Sequence, residues 1–292
     1  MSDIYRLKVS CSVSKLCELF GLTYNGTDRE IRHVGRLDVV DSSVLTFANK
    51  NVALPPGSIV IAGADFEVQN DVEFTHIISD KPRVSFVVVL DYLVRAFGFE
   101  NRGEQSRISD SAILGKNVVV GDGCEIGDRV IIEPNVTIHD GTVIGANSRI
   151  RSGASIGSDG FGFERLECGT PIRFPHLGRV VIGENVEIGS NTTIARGTLG
   201  DTVIDDHAKI DNLVHVAHNV HIKRGAFVTA CAELSGGVVV GENAWIAPNV
   251  STHQKLTIGA NSLVGLGAVV VKDVPESTVV AGNPAKKLRE LK

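Results

Sequence analysis

Residues 125–150 read EIGDRVIIEPNVTIHDGTVIGANSRI and carry an isoleucine at every sixth position. The members of this series are Ile126, Ile132, Ile138, Ile144 and Ile150. An α-helix repeats its apolar residues at spacings of three and four, and a single strand repeats them at two. A period of six instead fits a solenoid in which each hexad is a short strand and a turn, so that three hexads complete one triangular coil.

The same series extends through two thirds of the chain. It begins at Ile108, stops at Ser158, restarts at Ile182 and ends at Val270, and Thr252 is its one non-aliphatic member. A small or β-branched residue comes four positions after each aliphatic one, which suits a narrow interior. The 24 hexads predict about eight coils. We therefore expect a mainly β protein, and its likeness to known hexapeptide-repeat proteins implies a left-handed parallel β-helix.

Glycine often comes directly after the aliphatic residue, at Gly115, Gly121, Gly127, Gly145, Gly157, Gly183, Gly189, Gly241, Gly259 and Gly265. We expect these glycines to adopt positive φ, which costs them no steric penalty.

The interruptions and ends of the series predict the domain organisation. Residues 1–105 lack the period and read as a small α/β domain with an expected nucleotide-binding role. Its helices are expected at 13–20 and 85–97, and its strands at 31–34, 44–47, 58–61 and 75–78. Residues 106–275 form the β-helix, interrupted by a long insertion at 158–176 and a short bulge at 196–201. Residues 276–292 form a C-terminal tail.

Composition excludes several classes of protein. The net charge of −5 provides no basic stripe for nucleic acid. No apolar run approaches the roughly 20 residues of a membrane span, and the first residues do not resemble a signal peptide. The five cysteines are scattered and form no Cys-x-x-Cys pair, which favours a reducing cytoplasm.

Histidines supply the candidate chemistry. His207, His215, His218 and His221 cluster in the sequence, and His253 follows. The six-residue period predicts that the side chains of His215, His218 and His221 point outward. Polar residues that point outward from a β-helix usually only contact solvent. One functional alternative is zinc, as in the gamma-type carbonic anhydrases, although the His-x-x-x-x-His pair of that family is absent. The other is a general base, which needs only one oriented imidazole.

Gly236 lies 18 residues, or one coil, after His218, and its N–H is a candidate oxyanion donor. Asp211, Asn212 and Asn219 are candidates to orient the imidazole or the substrate.

Three motifs, IGSDGFGFE (156–164), HLGRVVIGENVEIGSNTTIARG (176–197) and KIDNLVHVAHNVHI (209–222), resemble the UDP-3-O-acylglucosamine N-acyltransferases of lipid A synthesis. FTHIISDKPRVSFVVVLDYL (74–93) resembles the segment that closes their uridine-binding domain, so the resemblance extends over most of the chain.

The resemblance implies a cytoplasmic homotrimer that transfers an acyl group from a thioester donor to the amine of a UDP-linked amino sugar, with no tightly bound cofactor and no metal. His218 matches the general base of the family, Gly236 its oxyanion donor and His253 a second histidine. The remaining implied substrate contacts are Asp159, Phe161 and Phe163 in the insertion, His215 beside the base, and Phe47 and Asn49 around the uracil.

Two features depart from that family. Its Asp-Arg-Gly is Ala195-Arg196-Gly197 here, and the tail contains Gly-Asn-Pro-Ala-Lys (282–286), which resembles acetyl-CoA-dependent sugar acetyltransferases. The acyl donor is therefore either an acyl carrier protein or CoA, and the alternative function is nucleotide-sugar N-acetylation in surface-glycan synthesis. A zinc lyase and a non-catalytic binding scaffold are the remaining alternatives.

Overall fold

The computed structural model describes residues 4–37, 43–100 and 105–290. The chain divides into two compact units. The first comprises 1–100, 162–177 and 198–200, and the second comprises 101–161, 178–197 and 201–292, within the limits of the described residues. Residues 101–104, at the end of the domain expected at 1–105, lie outside them, and the boundaries expected at 105 and 275 stay predictions.

The first unit is an α/β fold. Its elements in chain order are β1 (Ile4–Ser12), α1 (Val13–Phe20), β2 (Thr23–Asn25), β3 (Glu30–Gly35), β4 (Val44–Phe47), β5 (Ile59–Ala62), β6 (Thr75–Ile78) and α2 (Pro82–Ala96). The sheet order is β1-β3-β4-β5-β6-β2, in which β3 to β6 are parallel and both edge strands are antiparallel.

The sequence predicted both helices and the four central strands but missed β1 and β2. Among the central strands, β4 and β5 are largely apolar and buried, as parallel strands covered on both faces require, whereas β3 also contains the exposed Glu30 and Arg32. β1 and β2 are edge strands that mix polar and apolar residues, and in β1 only Leu7 and Cys11 are buried. Helix α1 begins where the Ser12 hydroxyl accepts the Lys15 N–H at 3.2 Å, and it ends at Gly21 in the left-handed region.

Part of the insertion forms an antiparallel hairpin of strands Phe163–Arg165 and Pro171–Arg173. Within the first unit, two ion pairs connect the start of α2 to this hairpin. Arg83 pairs with Glu164, and Lys81 with Glu167 at 3.0 Å.

The second unit is a left-handed parallel β-helix with three faces, as predicted. The first face holds Arg107–Ile108, Glu125–Ile126, Val143–Ile144, Val180–Ile182, Thr202–Ile204, His221–Ile222, Val239–Val240 and Thr257–Ile258. The second holds Ile113–Leu114, Ile131–Ile132, Arg149–Ile150, Glu187–Ile188, Lys209–Ile210, Phe227–Val228, Trp245–Ile246 and Leu263–Val264, extended by Thr278–Ala281 and Lys286–Glu290. The third holds Val119–Val120, Thr137–Ile138, Ser155–Ser158, Thr193–Ala195, His215–Val216, Glu233–Leu234, Ser251–Thr252 and Val269–Val270.

The aliphatic residues that repeat every six positions line the interior of this prism. Along each face the aliphatic residue of one strand pairs in register with that of the next, as Ile126 does with Ile144. The small residues predicted at the fourth position are buried beside them, for example Thr142, Ser148 and Ala208. This stack of apolar side chains is the core of the solenoid.

The glycines after the aliphatic residues serve a different purpose from the one predicted. Of the ten, only Gly157 has positive φ. A Cβ added at Gly115 or Gly145 would lie 2.5–2.8 Å from main-chain atoms of the following coil, so glycine is required there by close approach. Positive φ occurs two residues later, mostly at asparagines such as Asn117, Asn147 and Asn243, whose side chains tolerate that region.

Both interruptions of the period occur at the same corner of the prism. We call third corner the turns that follow third-face strands: 121–124, 139–142, 159–179, 196–201, 217–220, 235–238 and 253–256. The insertion and the bulge both leave the prism and return to it at this corner. First-face strands stay in register across both interruptions, whereas the third-face strand Ser155–Ser158, directly before the insertion, shows a register shift against Thr193–Ala195 between Ile156 and Ser158. Neither helix of the described chain is long and apolar enough to cross a membrane.

Candidate active site

His218 lies in the third corner, two residues after the buried Val216. Its imidazole is half-buried, and its Nδ1 lies 3.0 Å from Oδ1 of Asn219. Because a carboxamide oxygen can only accept, this contact assigns the proton to Nδ1 and the lone pair to Nε2. His218 is thereby oriented in the tautomer that a general base requires.

The main chain of Asn219 is held by Thr202, the residue that directly follows the bulge at 196–201. Its own φ is +60°, the left-handed turn position, and its N–H donates to Thr202 Oγ1 at 2.8 Å. Thr202 is fully buried and follows Asp201, whose carboxylate accepts from the Arg179 N–H at 3.0 Å and from Nε at 3.2 Å. Sequence reasoning missed Thr202, because a threonine at the start of a strand carries no distinctive signal.

Gly236 lies directly against His218, as the 18-residue spacing predicted. A Cβ built on Gly236 would lie 2.8 Å from Cε1 and 2.9 Å from Nε2 of the imidazole. The two turns are joined by the Gly237 N–H, which donates to the His218 carbonyl at 2.9 Å. The Gly236 N–H meets no hydrogen-bond acceptor in the part of the chain that the structure describes. An imidazole and an available main-chain donor thus lie side by side.

His253 and His215 flank this pair. His253 begins the next turn of the third corner and is exposed, with Nδ1 3.1 Å from the Gln254 carbonyl oxygen. His215 projects from the third face, where its Nδ1 lies 2.9 Å from Thr193 Oγ1. His215 is paired in register with Glu233 of the next coil. Substrate contacts for both histidines stay predictions.

Asp211 and Asn212 lie at a different corner, between the second and third faces. The hypothesis that they orient the imidazole is therefore wrong within one chain, because Asn219 fills that role. Both line a groove of about 260 Å³ on the second face, together with Trp245, which is 46% exposed, and Phe227. Asn212 Oδ1 accepts the Ser190 N–H at 2.7 Å. Their role toward substrate stays a prediction.

The insertion residues are divided between the two units. Asp159 and Phe161 belong to the second unit, where both are exposed, Phe161 by 91%. Phe163 belongs to the first unit, where the Arg173 guanidinium lies over its ring at 4.6 Å.

The two predicted uracil contacts also differ in their surroundings. Asn49 lines a cleft of about 240 Å³ in the first unit, together with Lys50, Asp65, Phe66 and Asp80. Phe47 does not line this cleft and packs its ring 4.9 Å from that of Phe86. Phe66 is the aromatic residue of the cleft, and sequence reasoning missed it.

The histidines proposed as a zinc site are spread around the prism. His207 lies between the first and second faces, His215 on the third face, His218 in the third corner and His221 on the first face. Across residues 4–37, 43–100 and 105–290, no three potential ligands come together.

A second histidine of the third corner, His139, is partly buried beside a buried arginine. His139 Nε2 lies 3.3 Å from Ser155 Oγ, and Arg196, 6% exposed, donates from Nε to the Gly157 carbonyl at 2.8 Å and also to that of Asp140. Burial lowers the pKa of His139, and the charge of Arg196 lowers it further, while Asp140 and Asp159 oppose the change.

We expect acid to destabilise the solenoid through His139. Because its folded pKa lies below the unfolded value of about 6.5, the unfolded chain binds the proton more tightly, and stability present above that pH is lost as the pH falls through the folded pKa. Between pH 7.5 and pH 5.5 the free energy of unfolding should fall less in His139→Gln than in the wild type. The difference between the two falls, obtained from thermal unfolding, should stay below about 1.4 kcal/mol. An equal loss of unfolding free energy in both proteins would contradict the role of His139 in acid destabilisation.

Comparisons with known proteins place two family models on the solenoid. Residues 105–140 match the bacterial transferase hexapeptide (six repeats), and residues 179–204 match the hexapeptide repeat of succinyl-transferase.

Curated relatives include the UDP-3-O-acylglucosamine N-acyltransferase of Caulobacter sp. (strain K31), 42% identical over 137 residues, which are 47% of this chain and 40% of the relative. That of Methylobacterium nodulans is 41% identical over 138 residues, 47% of this chain and 39% of the relative. The matched segment thus spans about two fifths of the length of these relatives.

Among solved structures, the UDP-N-acetylglucosamine O-acyltransferase of Moraxella catarrhalis RH4 superposes with a TM-score of 0.60 at 29% identity, covering 64% of this chain and 71% of that one. Sequence and structure comparisons therefore agree that this chain carries a hexapeptide-repeat solenoid similar to those of UDP-sugar acyltransferases, which confirms the resemblance to the UDP-3-O-acylglucosamine N-acyltransferases indicated by its motifs.

Proposed function

We propose that this chain is an N-acyltransferase that transfers an acyl group from a thioester to the amine of a UDP-linked amino sugar, as in lipid A biosynthesis. The observation that carries the proposal is the contact between the oriented imidazole of His218 and Gly236, whose N–H is available. Acyl transfer needs a base for the nucleophile and a donor for the carbonyl oxygen, and these two groups supply both.

The reaction follows from those two roles. The amine nitrogen of the sugar attacks the thioester carbonyl carbon while His218 Nε2 removes a proton from the nitrogen. The carbonyl oxygen becomes negative and accepts the Gly236 N–H. When the tetrahedral intermediate collapses, the C–S bond breaks, an amide remains on the sugar, and the thiolate takes the proton from the imidazolium.

An amine acceptor is favoured over a hydroxyl by the relatives at higher identity. The relatives 41–42% identical to this chain are named N-acyltransferases, whereas the solved structure at 29% is an O-acyltransferase. The step at His218 is the same for either nucleophile, so the choice between them depends on the substrate and not on the base.

The remaining parts of the proposal concern partners. The donor is an acyl carrier protein or CoA, and no tightly bound cofactor takes part. The cleft at Asn49 and Phe66 is the proposed uridine site, since it offers an aromatic ring and a carboxamide. The assembly is a homotrimer, and the location is cytoplasmic, in keeping with five free cysteines.

The test is an acyl-transfer assay with a matched pair of acceptors. UDP-3-O-acylglucosamine offers a free amine, and UDP-N-acetylglucosamine offers only hydroxyls. Each is incubated with acyl carrier protein carrying a hydroxyacyl chain, and separately with acetyl-CoA, and the product is identified by mass spectrometry. We expect amide formation with the first acceptor only. Ester formation on the second would assign an O-acyltransferase, and no transfer from either donor would overturn the proposal.

Calorimetric titration then separates the donors. Binding of acyl carrier protein without CoA would assign the chain to lipid A synthesis. Micromolar binding of CoA alone would assign it to sugar N-acetylation, in agreement with the Gly-Asn-Pro-Ala-Lys segment at 282–286.

A further inference from the structure

Thr252 is the one polar residue in the aliphatic series, and nothing in the proposed chemistry accounts for it. It points into the prism and is 4% exposed. A buried hydroxyl at an aliphatic position is unfavourable unless it forms hydrogen bonds. Its two hydrogen-bond partners, Glu233 and Ser235, both belong to the preceding coil and come shortly before Gly236 in the chain.

The hydroxyl of Thr252 replaces a main-chain hydrogen bond. In the other coils the residue after the aliphatic one donates its N–H to the aliphatic carbonyl one coil on: Gly121 to Ile138 at 2.8 Å, His139 to Ile156 at 2.8 Å, and Ala217 to Leu234 at 2.9 Å. The Ser235 N–H instead donates to Thr252 Oγ1 at 3.1 Å. That oxygen lies 3.4 Å from the Glu233 carbonyl, to which its proton points.

The strand ladder shows the same local change. Third-face neighbours pair through two residues, as Thr193 and Ile194 do with His215 and Val216. The strands Glu233–Leu234 and Ser251–Thr252 pair only through Glu233 and Ser251. The chain therefore leaves the regular ladder at Ser235, the residue directly before Gly236.

We infer that Thr252 is a positioning residue for the oxyanion donor, an inference that rests on the proposed function. By taking the Ser235 N–H, its hydroxyl sets the main-chain path through Ser235 and brings Gly236 against the His218 imidazole with its N–H available. The Ser235 hydroxyl, which donates to Glu233 Oε1 at 3.0 Å, holds the same residue from outside the prism. A valine at position 252 would restore the aliphatic series and with it the regular ladder.

The test compares Thr252→Val with Thr252→Ser. Valine has the shape of threonine without the hydroxyl, and it fits an interior of valines and isoleucines. We expect Thr252→Val to unfold at the same or a higher temperature than the wild type, to lose about 10- to 100-fold in kcat and to keep its KM for the sugar. Thr252→Ser should retain most of the activity because it keeps the hydroxyl. A merely structural role predicts the opposite pattern, a lower Tm with little change in kcat.

Crystal structures of the wild type and Thr252→Val provide the second readout. In the variant we expect the Ser235 N–H to bond the main-chain oxygen at position 252, as in the other coils. Wild-type kcat in Thr252→Val, or the same path through Ser235 and Gly236 in both crystals, would overturn the inference. If the wild type itself transfers no acyl group, the proposed function fails, and the two crystal structures alone decide whether Thr252 sets this main-chain path.

Discussion

Replacing His218 with alanine should reduce the rate of acyl transfer by about 10² to 10⁴-fold while leaving the fold intact, because the variant loses a general base and no buried core contact. The half-buried imidazole lies outside the aliphatic stack, so the Tm should change little. The measurement is kcat with saturating donor and acceptor, together with Tm. His218→Gln should not rescue the rate, since a carboxamide cannot accept the proton.

The matched control is His207→Asn. His207 is an exposed turn histidine at φ +62°, a region that asparagine tolerates, and it lies in another corner of the solenoid. We expect wild-type kcat from this variant. Near-wild-type turnover in His218→Ala would exclude His218 as the base, and a loss in both variants would indicate a general sensitivity of the solenoid to histidine replacement.

Adding a single methyl group at Gly236 should reduce kcat by about 10²-fold or more. The new Cβ of Gly236→Ala would lie 2.8 Å from Cε1 and 2.9 Å from Nε2 of His218, closer than real Cβ atoms approach other heavy atoms. The ring or the turn must therefore move, and a displacement of about 1 Å at a reacting group is worth roughly 10²-fold in rate. The oxyanion donor and the base are disturbed together, so the loss should appear in kcat.

Gly267→Asn is the control for this substitution. Gly267 is also a solenoid turn glycine, but it has positive φ, and a Cβ there meets no heavy atom within 4 Å. Asparagine occupies the equivalent turn position in many coils, so kcat and Tm should both stay at wild-type values. Wild-type kcat in Gly236→Ala would show that the contact with His218 is not needed for turnover.

The double variant His218→Ala, Gly236→Ala tests whether the two residues act as one unit. If the methyl group acts by displacing the imidazole, it should cost much less once the imidazole is gone, so the combined loss should fall well short of the product of the single losses. Multiplicative losses would indicate that the added methyl group affects the oxyanion donor alone.

Much of the site was predictable because the solenoid converts sequence spacing into spatial distance. Residues 18 apart lie one coil apart at the same corner, which is why the spacing alone places Gly236 against His218. Asp211 and Asn212 are nearer to His218 in sequence and yet lie at a different corner, because proximity along a coil leads around the prism.

The amino-acid sequence by itself indicated a solenoid, its coil number and the position of its interruptions, since a six-residue period fits three short strands per coil with the aliphatic residues directed inward, whereas its left-handedness came from the likeness to hexapeptide-repeat proteins. Only the tertiary structure decided which groups meet across the coils: the Thr202 hydroxyl under Asn219, the Thr252 hydroxyl under Ser235, and Phe66 rather than Phe47 at the cleft of the first unit. These contacts depend on the rotamer of one hydroxyl or the path of one loop, and neither can be predicted from a repeating sequence pattern.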